Sequence, residues 1–387
     1  MKPAVTETPA ALPPVEEESW LDWVRAIDRF WFKPAEPTML GLIRILCGVL
    51  TLYVHLSYCF GLLSYLGPHA WGDHKQVEFV RTQVTFYAPP TTWDGQPTEL
   101  DKGYAAWSVW YHVEDPFWVI TLHAVFLVAM VCYTVGFCTR ISGVLTWIGV
   151  ISYVNRLPFM MFGMDTIMVI VQTYLLIGPA GAVYSVDAWL HKRRVGWWRD
   201  DAVDADRPPK SAAANLALRL MQVHFCFVYL VSGLSKLQGA SWWSGDAIWL
   251  TVANPNFSPM QSPVFFNSLV FLAQHRWLYH VVIGGSVLYT LFLEIGFPFL
   301  VWNRRMRWVM IFLSVLLHTG IGFLMGLGGF SLFMMVLLLS FVPPENAVAF
   351  LETLKGHWGV ARGKLGGRGA APVAPAAGKP QEFALHR

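Results

Sequence analysis

The sequence predicts an all-α fold: a polytopic transmembrane helical bundle of about eight spans with both termini cytoplasmic. Three observations carry this. Charged residues make up only 14% of the chain, against about a quarter in a soluble domain, while 55% is hydrophobic and mean hydropathy is +0.44. Apolar runs of about twenty residues, the length that crosses a bilayer core, recur along the chain. Bases cluster between alternate runs, as the positive-inside rule requires.

Residues 1–19 are rich in Pro, Ala and Glu and read as a disordered cytoplasmic tail. With Glu16-Glu17-Glu18 in place of a basic n-region, no cleavable signal peptide is expected. From Trp20 to Phe32, apolar Trp20, Trp23, Val24, Ile27, Phe30 and Trp31 oppose Asp22, Arg25, Asp28 and Arg29, which predicts a helix lying in the interface. Pro34 and Pro37 punctuate the entry to the first span. The spans are read at 39–61, 116–137, 141–160, 163–183, 214–237, 278–302, 306–326 and 329–343. The last is short and ends at Pro343-Pro344; it is read as a span, with a half-helix as the alternative.

A cytoplasmic N-terminus puts every basic cluster on one side. These are Arg25, Arg29 and Lys33; Arg140; Lys192, Arg193, Arg194 and Arg199; Arg304, Arg305 and Arg307; and Lys355, Arg362, Lys364 and Arg368. Two long external loops remain, about 62–115 and 238–277. The first, with Asp94-Gly95 and Trp93, Tyr104, Trp107, Trp110 and Tyr111, reads as a cap on the membrane surface. In the second, Ala247-Ile248-Trp249-Leu250 reads as a short re-entrant or interfacial helix. Residues 346–387, Gly/Ala/Pro-rich with scattered bases, read as a mostly disordered cytoplasmic tail. A net charge of +3 is too small to suggest nucleic acid. The five cysteines (Cys47, Cys59, Cys132, Cys138, Cys226) form no C-x-x-C pair, so neither a thiol-redox enzyme nor a metal site is expected, and they read as ordinary buried thiols.

Ionisable groups inside the spans are the functional candidates. Lys236 closes the fifth run, on a helical face shared with Phe225, Tyr229, Ser232 and Gly233, and Trp242-Trp243 follow. An ammonium there must snorkel, find a partner or lose its proton, and spacing leaves all three open. At about 1.5 Å per residue, Lys236, Asp165, His318 and His55 reach a similar outer depth on four helices. Asp165 also suits the positive end of a helix dipole, and His318 also suits a satisfied packing role. Glu294, Arg44 and Arg219 fall in the inner half and read as structural pairs or head-group contacts.

Several segments resemble a known family. Pro34-x-x-Pro37-x-x-Leu40-Gly41-x-x-Arg44 resembles the first helix of the HTTM (horizontally transferred transmembrane) domain, the membrane half of vitamin K-dependent gamma-glutamyl carboxylase. Gly136-Phe137-Cys138-Thr139-Arg140-Ile141-Ser142 is similar to its turn between helices two and three, and Tyr184-Ser185-Val186-Asp187 to the segment closing helix four. Glu294 and His318 fall where the family carries an acidic residue and a histidine. Gly233-Leu234-Ser235-Lys236-Leu237 is similar to its G-[VL]-x-K-L, whose lysine deprotonates vitamin K hydroquinone. The similarity covers about residues 20–345, which read as one HTTM-like domain.

The resemblance implies an outer-leaflet pocket for a reduced menaquinone or related vitamin K-type quinol or isoprenoid lipid. Lys236, with His318 and Asp165, would act in proton transfer, and Tyr229, Ser232, Trp242 and Trp243 would bind the cofactor. It implies a multi-pass protein of a bacterial cytoplasmic (inner) membrane whose partner is membrane lipid. A protein partner is not specified. Met164 stands where the carboxylase has an active-site histidine, and no large extramembrane half follows, so the carboxylase-like or epoxidase-like activity is set against a non-enzymatic scaffold or lipid-binding accessory role. A transporter ranks last, because no inverted repeat is visible.

Overall fold

The computed structural model describes residues 20–72, 75–77, 107–157, 160–193, 209–256 and 258–353. The expected tail 1–19, the loop residues Trp93, Asp94, Gly95 and Tyr104, and the tail beyond residue 353 lie outside them. Two compact units divide the chain, Met1–Val342 and Pro343–Arg387. The described part of the second is the helix Pro344–Thr353.

The first unit is all-α among the described residues, with one isolated antiparallel bridge between Ala35 and Ser211. Its helices are α1 (Trp20–Phe32), α2 (Thr38–Ser57, extended by a tight turn Tyr58–Phe60), α3 (Leu62–Leu66), α4 (Pro116–Val135), α5 (Thr139–Arg156), α6 (Gly163–Ile177), α7 (Val186–Lys192) and α8 (Ala212–Lys236). They continue with α9 (Ala240–Ser244), α10 (Ala247–Val252), α11 (Pro263–Gln274), α12 (Arg276–Leu300, with a π turn at His280–Gly284), α13 (Arg304–Leu324) and α14 (Gly328–Leu338). Every apolar run read from the sequence forms a helix. Among the described residues five are long and apolar enough to cross a membrane: α2 with its extension, α4, α8, α12 and α13; the number rises to six if α14 and Pro344–Thr353 are taken together. Arg140, Asn155 and Arg156 dilute α5, and α6 has only 15 residues, so neither qualifies by itself.

Local chemistry sets the helix ends. Asp115 caps α4 by accepting from the amides of Phe117 and Trp118, ahead of Pro116 in the first turn. The same helix stops at Gly136, whose φ of +75° is left-handed backbone that glycine enters without strain. Asn303 caps α13 in the same way as Asp115 caps α4.

Three segments singled out in the sequence meet at this end of α4. The Asp187 carboxylate accepts from the amides of Cys138 (2.8 Å) and Thr139 (2.7 Å) and from the Thr139 hydroxyl (2.6 Å). Buried Arg44 donates to the carbonyls of Ala180 (2.8 Å) and Tyr184 (2.6 Å). A Cβ on Gly41 would lie 2.7 Å from the Val183 carbonyl oxygen, so α2 approaches this chain segment as closely as backbone allows. Arg44 is thus a structural clasp. Arg219 is one as well: with Asn215 it donates to the last carbonyls of α1, at Phe30 and Trp31, and its guanidinium lies 4.4 Å from the Phe30 ring.

The most extensive helix pair is α8 against α12, antiparallel. Phe225 meets Phe297 at 5.1 Å between ring centroids, and a Cβ on Gly233 would stand 2.7 Å from Ile295 and 3.1 Å from the Glu294 Cβ. Gly233 therefore lets the two backbones close at the site level. Glu294 comes 18 residues after Arg276, about 27 Å along α12, so roughly the first four turns of α12 continue past the end of α8. Against that extension packs α10, with the Tyr279 hydroxyl donating to Asp246 at 2.9 Å and Trp249 edge-on to Tyr279.

Candidate functional site

Where α8 ends against α12, the Lys236 ammonium lies 2.7 and 2.9 Å from the two carboxylate oxygens of Glu294. It also donates to the Ser232 hydroxyl, one turn earlier on α8, at 2.6 Å. Ser232 in turn donates to Glu294 at 3.4 Å. The pair is sheltered: 8% of the Glu294 side chain and 23% of the Lys236 side chain are exposed. Trp242, on the short α9, places its ring 5.5 Å from the amine. The lysine therefore does not snorkel. Its charge is met inside the bundle.

Glu294 corrects the reading that set it in the inner half with Arg44 and Arg219. The depth count assumed that helices five and six start and stop at matching levels. Because α12 runs past the end of α8, a residue late in α12 faces the last turn of α8.

About two turns before Lys236 on α8, buried Tyr229 shares a 2.9 Å hydrogen bond with His318 Nε2 on α13, and the two rings stack. The His318 imidazole abuts the ring of Phe330 on α14. Phe330 also touches the position of Gly163, and the Met164 sulfur packs against Gly329. Met164 thus contributes an apolar contact at the wall next to His318.

Asp165 lies on the other side of that wall. Its carboxylate accepts from the Phe162 amide at 2.8 Å, capping α6, and it lines a water-sized cavity of about 10 Å³ with His55, Tyr58, Tyr153 and Met168. His55 donates through Nδ1 to the Thr51 carbonyl at 2.8 Å; its Nε2 is buried with no hydrogen bond. The four groups expected at one depth do not converge: Lys236 is held by Glu294, His318 by Tyr229, and Asp165 and His55 line one small cavity. Trp243 faces outward, 74% exposed, with its indole N–H on the Leu237 carbonyl.

An apolar cavity of about 300 Å³ opens between α10, α12 and α13. Ile248, Thr251 and Val252 form one wall, Ser286, Tyr289 and Thr290 a second, and Leu317, Gly320, Ile321 and Leu324 a third. Thr290 is one helical turn from Glu294, on the same face of α12. The three α12 hydroxyls are spent on backbone carbonyls: Thr290 on Ser286, Ser286 on Val282 and Tyr289 on Leu313. The wall is therefore apolar in effect, and no charged residue lines it.

Compared with protein-family models, curated proteins and solved structures, the chain finds no match. No cluster of three or more His, Cys, Asp or Glu suited to a metal occurs among the described residues.

Chemically, the arrangement places a proton between an amine and a carboxylate. Away from water the charged pair loses much of the hydration that favours it, and transfer along the 2.9 Å hydrogen bond to Oε1 would leave a neutral amine beside a neutral acid. A neutral amine is a base. The requirement is a dry site, and the Trp242 ring of α9 shelters one side of the amine.

Proposed function

We propose that this is an integral membrane protein that binds a quinol or related isoprenoid lipid in the cavity between α10, α12 and α13, with Lys236 as proton acceptor. One observation carries the reading: an apolar cavity of about 300 Å³, the low end of small-molecule sites, is lined by Thr290, which stands one helical turn along α12 from Glu294 of a sheltered lysine–glutamate pair. The size suits a fused aromatic ring with the first part of a tail, and the open side suits the remainder. The HTTM resemblance points to the same ligand class. It also supports eight spans with both termini cytoplasmic, in a bacterial cytoplasmic membrane.

The acid–base work falls to this chain's own groups. A bound quinol supplies a phenolic proton. In the neutral form of the pair Glu294 holds the lysine proton and donates it back as a hydrogen bond to the amine, and the Lys236 lone pair accepts the quinol proton as that hydrogen bond gives way. Ser232 fixes the amine by its 2.6 Å hydrogen bond, and Trp242 covers it from the side of α9. Tyr229 and His318, hydrogen-bonded to each other, form a separate polar contact about two turns before Lys236 on α8. Asp165 belongs to the separate cavity with His55, so any part it plays lies outside the Lys236 centre.

A second reading is a non-enzymatic lipid-binding or scaffold protein, in which Lys236–Glu294 only fastens α8 to α12. The fully partnered amine and the apolar Met164 favour it. Oxygen-dependent epoxide formation from reduced menaquinone in proteoliposomes separates the two. Turnover by wild type, lost in Lys236→Ala, supports the enzyme; lipid retention without turnover supports the accessory role.

A further inference from the structure

A second reactive centre lies outside the Lys236 site and does not depend on it. Cys59 sits in the tight turn Tyr58–Phe60 that ends α2, and its side chain is exposed. Its sulfur lies 3.2 Å from Nε2 of His123, a buried residue on α4. The other ring nitrogen, Nδ1, is hydrogen-bonded to the hydroxyl of buried Tyr153 on α5. Packing fixes the Tyr153 ring: Tyr58 stacks on it at 5.3 Å and 7°, and His55 and Trp110 approach at 4.7 and 5.2 Å. Three different helices thus bring together an accessible thiol, an imidazole and a phenol that orients the imidazole. This is the order of parts that an activated nucleophile needs.

From the sequence all five cysteines read as ordinary buried thiols. Cys47 and Cys226 are buried, whereas Cys59 is exposed and has a base in contact.

Position narrows the electrophile. Cys59 is the last residue but one of the candidate span Thr38–Phe60. Phe60 beside it is 95% exposed, and Trp118, on the first turn of α4, is 57% exposed. Aromatic residues at span ends mark the level where the hydrocarbon core gives way to head groups. The ester carbonyls of glycerophospholipids lie at that level, within reach of a thiol that opens outward.

The geometry points to Cys59 as an acyl acceptor: it takes a fatty acyl chain from a phospholipid ester, with His123 as proton carrier and Tyr153 as positioning residue. The thiol proton passes to His123 Nε2, sulfur bonds to the acyl carbon, and the ester C–O bond breaks. His123 then returns the proton to the departing glycerol oxygen, leaving a thioester on Cys59 and one lysophospholipid. No oxidant or reductant is involved.

The test uses the full-length protein in vesicles of phosphatidylethanolamine and phosphatidylglycerol with a labelled acyl chain. Label should accumulate on Cys59, release with hydroxylamine, and appear with an equal amount of lysophospholipid. Cys59→Ser, at an exposed position, should carry none. His123→Gln should slow labelling at least 100-fold. Tyr153→Phe keeps the ring stack and should lower the rate at saturating lipid about 10-fold, with the half-saturating lipid concentration unchanged. Wild-type protein that stays unlabelled on Cys59 overturns the proposal. So does labelling of correctly folded His123→Gln at the wild-type rate.

Discussion

The cost of parting Lys236 from Glu294 decides how the lysine is to be understood. A sheltered charge pair adds little net stability, because its desolvation offsets the attraction, but one charge left alone is expensive, about 3–5 kcal/mol. Glu294→Gln should therefore lower stability by roughly that amount, measured as thermal unfolding in lipid nanodiscs. The double replacement Lys236→Met with Glu294→Leu should recover most of it, since apolar side chains of similar volume fill the place without stranding a charge. Two single replacements whose costs simply add, with no coupling, would mean that the pair is solvated and the site is not dry. Lys236 was legible in the sequence as an amine in need of a partner, because its run of apolar neighbours says so. Its partner was not legible. Helix register is a tertiary property, and Glu294 becomes the neighbour only because Gly233 lets α12 pass closely and α12 extends beyond the end of α8.

Among the elements, the junction of α2, α4 and α7 holds one end of the bundle. Gly136 carries a φ of +75°, and a Cβ there would stand 2.4 Å from the Ser185 Cβ and 2.7 Å from Arg44 Nη1. Gly136→Ala should then cost more than the 1–2 kcal/mol or so of left-handed strain alone, because Arg44 must also move off its two carbonyls. Arg44→Met should cost about 2–4 kcal/mol by leaving those carbonyls without their donor. Both are read in the same unfolding assay, and their costs should be markedly less than additive, since each breaks the same clasp. The helices themselves were readable from apolar length, and their ends were missed where chemistry overrides hydropathy. The run read as 163–183 stops at Ile177 because Gly178-Pro179 ends the helix, although the residues beyond it remain apolar. Helix α11 was read as loop because twelve residues are too few for a span.

For the whole molecule, the proposed arrangement places basic loops on one side and the α9–α11 segment on the other. Reporter fusions test this. A phosphatase active only outside the cytoplasm should be silent when fused at residue 200 and active when fused at residue 255; the reverse pattern would invert the bundle. Composition alone points to a membrane protein, because 14% charged residues falls well below the quarter or so typical of a soluble domain. The cavity was beyond the sequence. It exists because α10 folds back over the extension of α12, a contact made by Asp246, Trp249 and Tyr279 that no periodicity announces.

The most direct test of the central claim blocks that cavity while leaving the ion pair in place. Gly320 lines it, and a Cβ added there would meet no atom within 4 Å, so Gly320→Phe fills the space without displacing Lys236 or Glu294. Protein purified from menaquinone-containing membranes should carry about one quinone per chain as wild type, and less than a tenth of that as Gly320→Phe, with thermal stability of the ligand-free proteins equal. Equal quinone content in the two proteins would contradict the account.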